Sequence, residues 1–458
     1  MSLKLFNTLG RKKQEFKPMQ GKEVGMYSCG PTVYWYQHIG NLRSYIFADV
    51  LKRVLIYNGL KVKHIMNITD VGHLTSDADS GEDKMEKAAL KEGKKAEDIA
   101  NYYWKIFRED FKKLNIIEPN IWCKATEHIN EQIELIKKLE EKGYTYRTED
   151  GIYFDTSKFK DYGNLALLNQ EGLQAGKRIE VGEKRNKTDF ALWKFSEEPG
   201  KRQQEWKSPW GIGFPGWHIE CSAMSSKYLG EQFDIHTGGE DHIPIHHTNE
   251  IAQSECAFGK KPWVKFWLHG AFLMFKGEKV SKSKGGLYTI SELEDLNYNP
   301  LDYRYFCLTA QYRTQLNFTL ENLDNAKNSL QRLKRIISSL SEDNRNSKID
   351  EKYLKEFENA INDDLDMPKA LQVLWNLVRD EKAEGKIETI KKMDEVFGLD
   401  LLKKEKISIP DEVKKLVDER EKARHDKNWK KSDELRDKIN KLGFSIADGK
   451  DGVKVSKL

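Results

Sequence analysis

The sequence predicts an α/β fold built on an open parallel sheet, interrupted by an insertion and followed by a mostly helical C-terminal region. Three observations carry the prediction. Residues 29–41, Cys-Gly-Pro-Thr-Val-Tyr-Trp-Tyr-Gln-His-Ile-Gly-Asn, turn from a short buried strand containing Val24 and Met26 into a helix. The apolar positions of that helix, Leu42, Ile46, Val50 and Val54, run to a stop at Gly59. From Tyr144 to about Pro209 the strand–helix rhythm gives way to turns and charge. Beyond about Asn317 the chain is mostly amphipathic helix.

Taken in order, residues 62–68 read as a second strand running into Thr69-Asp70, and a charged helical region covers 84–114 with a break near Gly93. Thr126 is expected to cap a helix carrying Ile129, Ile133, Ile136 and Leu139, closed by Gly143. Residues 144–147 and 152–154 flank Asp150-Gly151 as a hairpin. Regularity returns with Gly216-Trp217-His218-Ile219-Glu220-Cys221. Residues 233–236 form a short strand breaking at Gly238-Gly239, a helix spans 244–258, and 264–268 and 272–275 are the last strands. Leu330, Leu333, Ile336, Ile337 and Leu340 make one helical stripe and Leu371, Leu374, Leu377 and Val378 another, both read as core. Residues 341–347 read as a polar linker, and Phe444, Ile446, Asp448, Val453 and Val455 suggest a hairpin after a basic helical pair. The expected divisions are 1–114 and 210–275 as two halves of the sheet domain, 115–209 as the insertion, 276–316 as a junction, and 317–458 as the helical domain.

A chain of 458 residues has room for two to four domains. Charged residues make up 33% of it, yet the net charge is only +4, which permits nucleic-acid binding without demanding it. No apolar run reaches membrane-spanning length, and residues 1–13 lack a signal-peptide core, so no membrane partner is expected. The five cysteines, Cys29, Cys123, Cys221, Cys256 and Cys307, are odd in number and scattered. This excludes a disulfide scaffold and points to reduced thiols in a cytoplasmic enzyme.

Chemistry concentrates in three places. The turn from strand into helix at residues 29–41 lies where open parallel sheets bind ligands and where helix N–H groups attract phosphate; His38 and Asn41 could both donate to one. Lys279-Val280-Ser281-Lys282-Ser283 could place two positive charges on a polyphosphate. His246 and Glu250 lie four apart on a predicted helix and share a face. With Cys29 and Cys221 they would offer two thiolates, an imidazole and a carboxylate, a zinc-like shell. His242 and the adjacent His247 compete with His246 on spacing alone, although Pro244 leaves His242 outside the helix.

The histidine stretch and the lysine loop, in this order, resemble the two signatures of class I aminoacyl-tRNA synthetases, usually written HIGH and KMSKS, with Asn41 and Val280 as departures. Gly25-Met-Tyr-Ser-Cys29-Gly-Pro-Thr, Gly216-Trp-His-Ile-Glu-Cys221-Ser-Ala-Met and His246-His-Thr-Asn-Glu250-Ile-Ala-Gln together resemble the cysteinyl-tRNA synthetase family, in which asparagine at the position of Asn41 is usual. The resemblance covers essentially the whole chain. Residues 237–245 depart from it, since the family more often has three glycines there, and Phe-Pro before the paired histidines.

The resemblance implies a Rossmann-type catalytic domain with a connective insertion and a C-terminal anticodon-binding domain. It implies ATP-dependent activation of L-cysteine to cysteinyl-adenylate and transfer to the 3′ end of tRNA(Cys). It assigns one Zn2+ per chain to Cys29, Cys221, His246 and Glu250, where the metal takes the substrate thiolate. Gly30, Thr32, Thr69, Trp217 and Asp241 line the cysteine pocket. His38, Asn41 and Lys282 bind ATP, which brings Mg2+, and together with Lys279 they form the catalytic set. A monomer is expected. Soft thiolate suits zinc where serine's hydroxyl does not, so no editing domain is needed, and the insertion looks too small and irregular for one. Two other readings exist: a same-fold ligase joining cysteine to an amino sugar, like the mycothiol-pathway enzyme, and a non-catalytic tRNA-binding paralogue. The long helical tail and its basic run, Arg420, Lys422, Arg424, Lys427, Lys430 and Lys431 around Trp429, argue against the first. The intact Lys279, Lys282, Cys29 and Cys221 argue against the second.

Overall fold

The computed structural model describes residues 2–72, 84–167, 183–275, 278–279, 288–340, 348–403, 410–449 and 452–457. Two compact units divide the chain, 1–401 and 402–458. The first opens with an antiparallel pair, β1 (Lys4–Asn7) and β2 (Lys12–Glu15). β3 (Glu23–Ser28) then leads through the loop 29–38 into α1 (Ile39–Tyr57). Most of α1 is buried, from Ile39 to Leu55, as a helix enclosed on all sides must be. It ends where Gly59 takes a left-handed conformation (φ +77°).

β4 (Lys61–Ile68) buries five consecutive residues at its C-terminal end, the pattern of a strand covered on both faces. The charged region resolves into α2 (Lys84–Glu92) and α3 (Ala96–Lys113), broken at Gly93 (φ +62°). β5 (Ile121–Lys124) follows and pairs in parallel with β4. α4 (Ile129–Glu141) adds Ile133, Ile136 and Leu139 to the main core. These elements lie in the stretch read from sequence as insertion. Thr126 does not cap α4. It lies in a 3-10 turn (Ala125–His128), with its N–H and O–H bonded to Asp70 at 2.9 and 2.6 Å.

The insertion is an antiparallel sheet of β6 (Thr145–Arg147), β7 (Gly151–Phe154), β8 (Phe190–Phe195), β9 (Trp206–Ser208) and β10 (Gly211–Pro215). Its order is β6-β7-β8-β10-β9. It thus occupies about 144–215, whereas the sequence suggested 115–209, because long turns hide short strands whose pairing is not local. α5 (Trp217–Leu229), β11 (Phe233–Gly239), α6 (His246–Phe258) and β12 (Val264–Gly270) complete the parallel layer, ordered β12-β11-β3-β4-β5. β11 runs on through Gly238-Gly239, and α6 starts at His246, two residues beyond Pro244.

β13 (Leu273–Phe275) leaves this sheet. It pairs with β14 (Glu278–Lys279) and, after α7 (Ile290–Asp295) and α8 (Pro300–Leu308), with β15 (Leu316–Phe318). α9 (Leu320–Ser338), α10 (Glu351–Ile361), α11 (Met367–Arg379) and α12 (Lys386–Phe397) follow. Leu330, Leu333 and Ile337 are buried while Ile336 and Leu340 are half-buried; the second stripe is buried throughout. The expected linker 341–347 lies outside the described residues.

These helices belong to the first unit, and one charge cluster shows why. The buried Asp49 carboxylate on α1 takes Arg304 at 2.6 Å and Arg53 at 2.8 Å. Arg304 also donates to the carbonyls of Phe397 and Leu114, and Arg53 to that of Glu395. The end of α12 is thereby tied to the sheet helix α1. The division between units accordingly falls at 401/402, whereas the sequence placed the start of the helical domain at 317. The second unit holds α13 (Asp411–His425), α14 (Trp429–Lys441) and the hairpin β16 (Phe444–Gly449) and β17 (Gly452–Lys457), packed on Val413, Ile439 and Phe444. No described helix is long and apolar enough to cross a membrane.

Breaking the Asp49 cluster leaves two buried guanidinium groups without their carboxylate, a loss of about 3–5 kcal/mol. Asp49→Asn should therefore lower unfolding free energy by that amount in denaturant titration. An unchanged midpoint would show that Arg53 and Arg304 are held by the carbonyls alone.

Candidate active site

The parallel sheet changes direction of assembly between β3 and β11: β4 and β5 add on one side, β11 and β12 on the other. Such a switch point opens a crevice at the carboxyl ends of the strands. Here the Cys29 N–H donates to the Thr237 carbonyl (3.1 Å), closing the floor. Above it lies a cleft of about 310 Å³ lined by residues of the loop 29–38, the start of α1, the ends of β4 and β11, and Trp217, Cys221 and His246.

His38 caps α1. Its Nδ1 accepts the Asn41 N–H (3.2 Å), while Asn41 Oδ1 accepts the His38 N–H (3.4 Å). This reciprocal box leaves the neutral imidazole with its proton on Nε2, a donor, and Asn41 with its amide NH2. Each of the two side chains expected to face a phosphate first accepts the other residue's backbone N–H. The helix start is also pinned from downstream, because the Ile39 N–H donates to the Tyr288 carbonyl (2.8 Å) and the Tyr303 hydroxyl to the Ile39 carbonyl (2.6 Å). Lys279 ends β14, its backbone paired with Met274. Lys282 lies outside the described residues, between Lys279 and Tyr288. The backbone on both sides of the lysine loop is therefore built into this corner of the fold.

Gly30, Thr32, Thr69, Trp217 and Asp241 all line the cleft. Gly30 donates its N–H to Asn67 Oδ1 (2.7 Å), and a Cβ there would stand 1.7 Å from the Asn67 carbonyl oxygen, so only glycine fits. Thr69 receives the Asn67 amide at 3.0 Å and donates to the buried Glu220 at 3.2 Å. Trp217 packs on the His246 ring at 4.3 Å. Sequence reasoning missed Tyr34, Gln37, Ser44, Tyr45, Thr237, Gly238 and His242 as lining residues. Gly238 carried a signal: a side chain there would meet the His242 and His247 rings at 2.6 Å.

Beneath the cleft, Cys29, Cys221, His246 and Glu250 bring one ligand atom each within 4.8 Å of one another. A second set, Cys29, His236, His247 and Glu250, meets the same limit. Hydrogen bonding separates them. Cys29 Sγ and His247 Nε2 already meet at 3.2 Å, and the other His247 nitrogen meets His269 at 2.8 Å. His236 Nε2 holds Glu250 Oε2 at 3.0 Å, which turns the carboxylate. Glu250 Oε1, buried and without a hydrogen-bond partner, stands 3.0 Å from His246 Nε2. His246 Nδ1 is in turn held by His218 at 3.0 Å. Two sulfurs, an imidazole nitrogen and an orphaned carboxylate oxygen converging from oriented side chains suit a soft divalent metal.

Charge follows the same division. Burial opposes the Glu250 carboxylate, but His236 and His246 hold its pKa down at about 2. Burial pushes the Cys29 thiol up, with Cys221 and Glu250 adding to it. Burial, with His246 and His236 adding to it, depresses His242 to about 4, although Asp241 and Glu250 pull the other way.

Residues 15–328 match the family model for the class I (C) tRNA synthetase catalytic domain, and 408–455 that for the cysteinyl-tRNA ligase anticodon binding domain. The chain is 49% identical over 456 residues to cysteine–tRNA ligase 1 of Burkholderia lata, covering 99% of this chain and 96% of that protein. It is 47% identical to cysteine–tRNA ligase of Treponema denticola, covering 98% of each. Among solved structures, methionyl-tRNA synthetase of Mycobacterium tuberculosis shares the fold, with a TM-score of 0.56 at 16% identity over 82% of this chain and 90% of that one.

Metal analysis of the purified protein should give about one zinc per chain. That content should fall sharply in Cys221→Ser and far less in His236→Gln, since His236 is a donor in the second set alone and reaches the first only by orienting Glu250. Loss in His236→Gln with retention in Cys221→Ser would move the metal to the second set.

Proposed function

The chain belongs to the cysteinyl-tRNA ligase family of class I aminoacyl-tRNA synthetases, and we propose that it activates L-cysteine with ATP and passes it to the 3′ end of tRNA(Cys). The observation that carries this is the cleft itself, in which a cluster of two cysteines, a histidine and a glutamate able to hold a metal meets a helix N-terminus capped by His38 and Asn41 at one switch point.

The attacking carboxylate of cysteine needs no protein base, so positioning and charge stabilisation carry adenylate formation. The start of α1 offers its dipole to the phosphates, with His38 Nε2–H and the Asn41 amide as donors. Lys279 and Lys282 neutralise the leaving pyrophosphate, which travels with Mg2+. Gly30, Thr32, Thr69, Trp217 and Asp241 hold the amino acid. Cys29, Cys221, His246 and Glu250 would hold zinc, which when bound supplies a soft Lewis acid that prefers a thiolate to a hydroxyl. The polar contact at the sulfur then separates cysteine from serine, by roughly 10⁴–10⁵ in sites of this kind. The small-acceptor ligase is disfavoured by the match of 408–455 to an anticodon-binding domain.

Cysteine-dependent ATP–pyrophosphate exchange, followed by charging of tRNA(Cys), tests the reading. A protein that binds tRNA but exchanges nothing would be the non-catalytic paralogue. Lys282→Ala should slow exchange by about 10²–10³, the scale of one lost transition-state donor, with cysteine binding unchanged. A large loss of cysteine affinity at normal turnover would contradict its role. A chain ending at Lys403 keeps the first unit whole, so it should still exchange pyrophosphate while charging collapses, phosphate contacts being the main source of nucleic-acid affinity. Undiminished charging would exclude the second unit from tRNA recognition.

A further inference from the structure

The loop that walls the cleft also carries an aromatic surface for which adenylate chemistry has no use. Tyr34 and Gln37 line the cleft, while Trp35 and Tyr36 between them pack against α3. Trp35 remains 40% exposed, with its ring 5.7 Å from Tyr103 and 5.6 Å from Tyr36. Tyr36 lies 5.0 Å from Tyr103, and its hydroxyl meets that of Tyr102 at 3.4 Å, Tyr102 being 46% exposed. Lysines stand over both exposed rings, Lys91 Nζ 5.7 Å from the Trp35 centroid and Lys94 Nζ 5.3 Å from that of Tyr102. Glu92 braces the arrangement by accepting from Tyr103 (3.0 Å) and pairing with Lys94 (2.9 Å).

Single exposed apolar residues are ordinary. A flat indole under one lysine, next in sequence to a cleft-lining residue, and a phenol of α3 under another form a different kind of surface. Any base can stack on such rings, and the ammonium groups draw the phosphates between bases. A protein partner would have to bury both lysines, whereas an RNA strand neutralises them.

We propose that Trp35, Tyr36 and Tyr102, with Lys91 and Lys94, form a stacking platform for the unpaired 3′-terminal nucleotides of the tRNA as they enter the cleft. The proposal rests on the function given above, since only an acceptor RNA brings such a strand there. It assigns these residues to the second half-reaction and none of them to the first.

The test uses the full-length chain and transcripts of tRNA(Cys) with and without the unpaired 3′ nucleotides. Trp35→Ala should leave pyrophosphate exchange at the wild-type rate and cut kcat/KM for tRNA charging by about 10- to 100-fold, the range of one lost base stack. Trp35→Phe should restore most of that loss. Lys91→Glu, at an exposed helix position, should also weaken charging. The binding defect of both Trp35→Ala and Lys91→Glu should vanish on the shortened transcript. Wild-type charging by both variants would overturn the platform and leave the function intact, as would equal losses on the two transcripts. If the unaltered chain fails to charge tRNA at all, the functional reading falls and the platform falls with it. Should Trp35→Ala depress exchange as well, Lys91→Glu decides, and a normal charging rate there would overturn the proposal.

Discussion

The return of β11 to the edge of β3 is the constraint on which the rest of the structure depends. Parallel strands cannot be joined by a tight turn, so after β3 the chain first builds β4 and β5 with their helices, then travels through α4, the five-stranded insertion and α5 before β11 lies down beside β3. That pairing sets Cys29 against Thr237 and opens the cleft at the carboxyl ends of both strands. It also puts α5 and α6 side by side, so that Cys221 and His246, far apart from Cys29 in sequence, converge under it. Lose the β3–β11 register and the start of α1, the cleft wall and the donor cluster separate together.

A cluster of two thiols, a carboxylate and several histidines in a buried place is costly unless each group has a partner. The structure meets this cost in layers. His236 holds one oxygen of Glu250 and His218 holds His246. His247 bridges Cys29 to His269, which ends on Thr8. The outer histidines orient the inner donors, and burial keeps several of them neutral, His247 and His269 among them. The same logic holds further along α1, where Asp49 gathers Arg53 and Arg304, whose further bonds tie the end of α12 to that helix. The consequence for domain organisation is that the catalytic unit keeps most of the helical tail, and only 402–458 forms a separate body.

Much of this was legible in the chain. Strands β3 and β4, the helices after them, the break at Gly93, the hairpin at Asp150-Gly151 and the C-terminal hairpin are local patterns, set by apolar period and turn residues that act within a few positions. The candidate site residues came from a different source: each motif is weak alone, and the family resemblance joined them. What local pattern could not reach was pairing. β5 is only four residues long, and nothing within it says that it belongs beside β4; β13 is as apolar as a core strand yet turns to β14 and β15. Thr126 has the right chemistry for a helix cap and spends it on Asp70, a residue that only the fold brings near.

The sequence by itself determined the fold class, the strand-to-helix turn that carries His38 and Asn41, and the donor types available for a metal. Each of these depends on side-chain chemistry and on spacings of a few residues. Tertiary structure alone decided the strand order, the true limits of the insertion, and the point at which the helical tail becomes a separate unit. It also gave His242, His246 and His247 different partners, because the three are nearly equivalent in sequence and differ only in what other strands and helices place beside their rings.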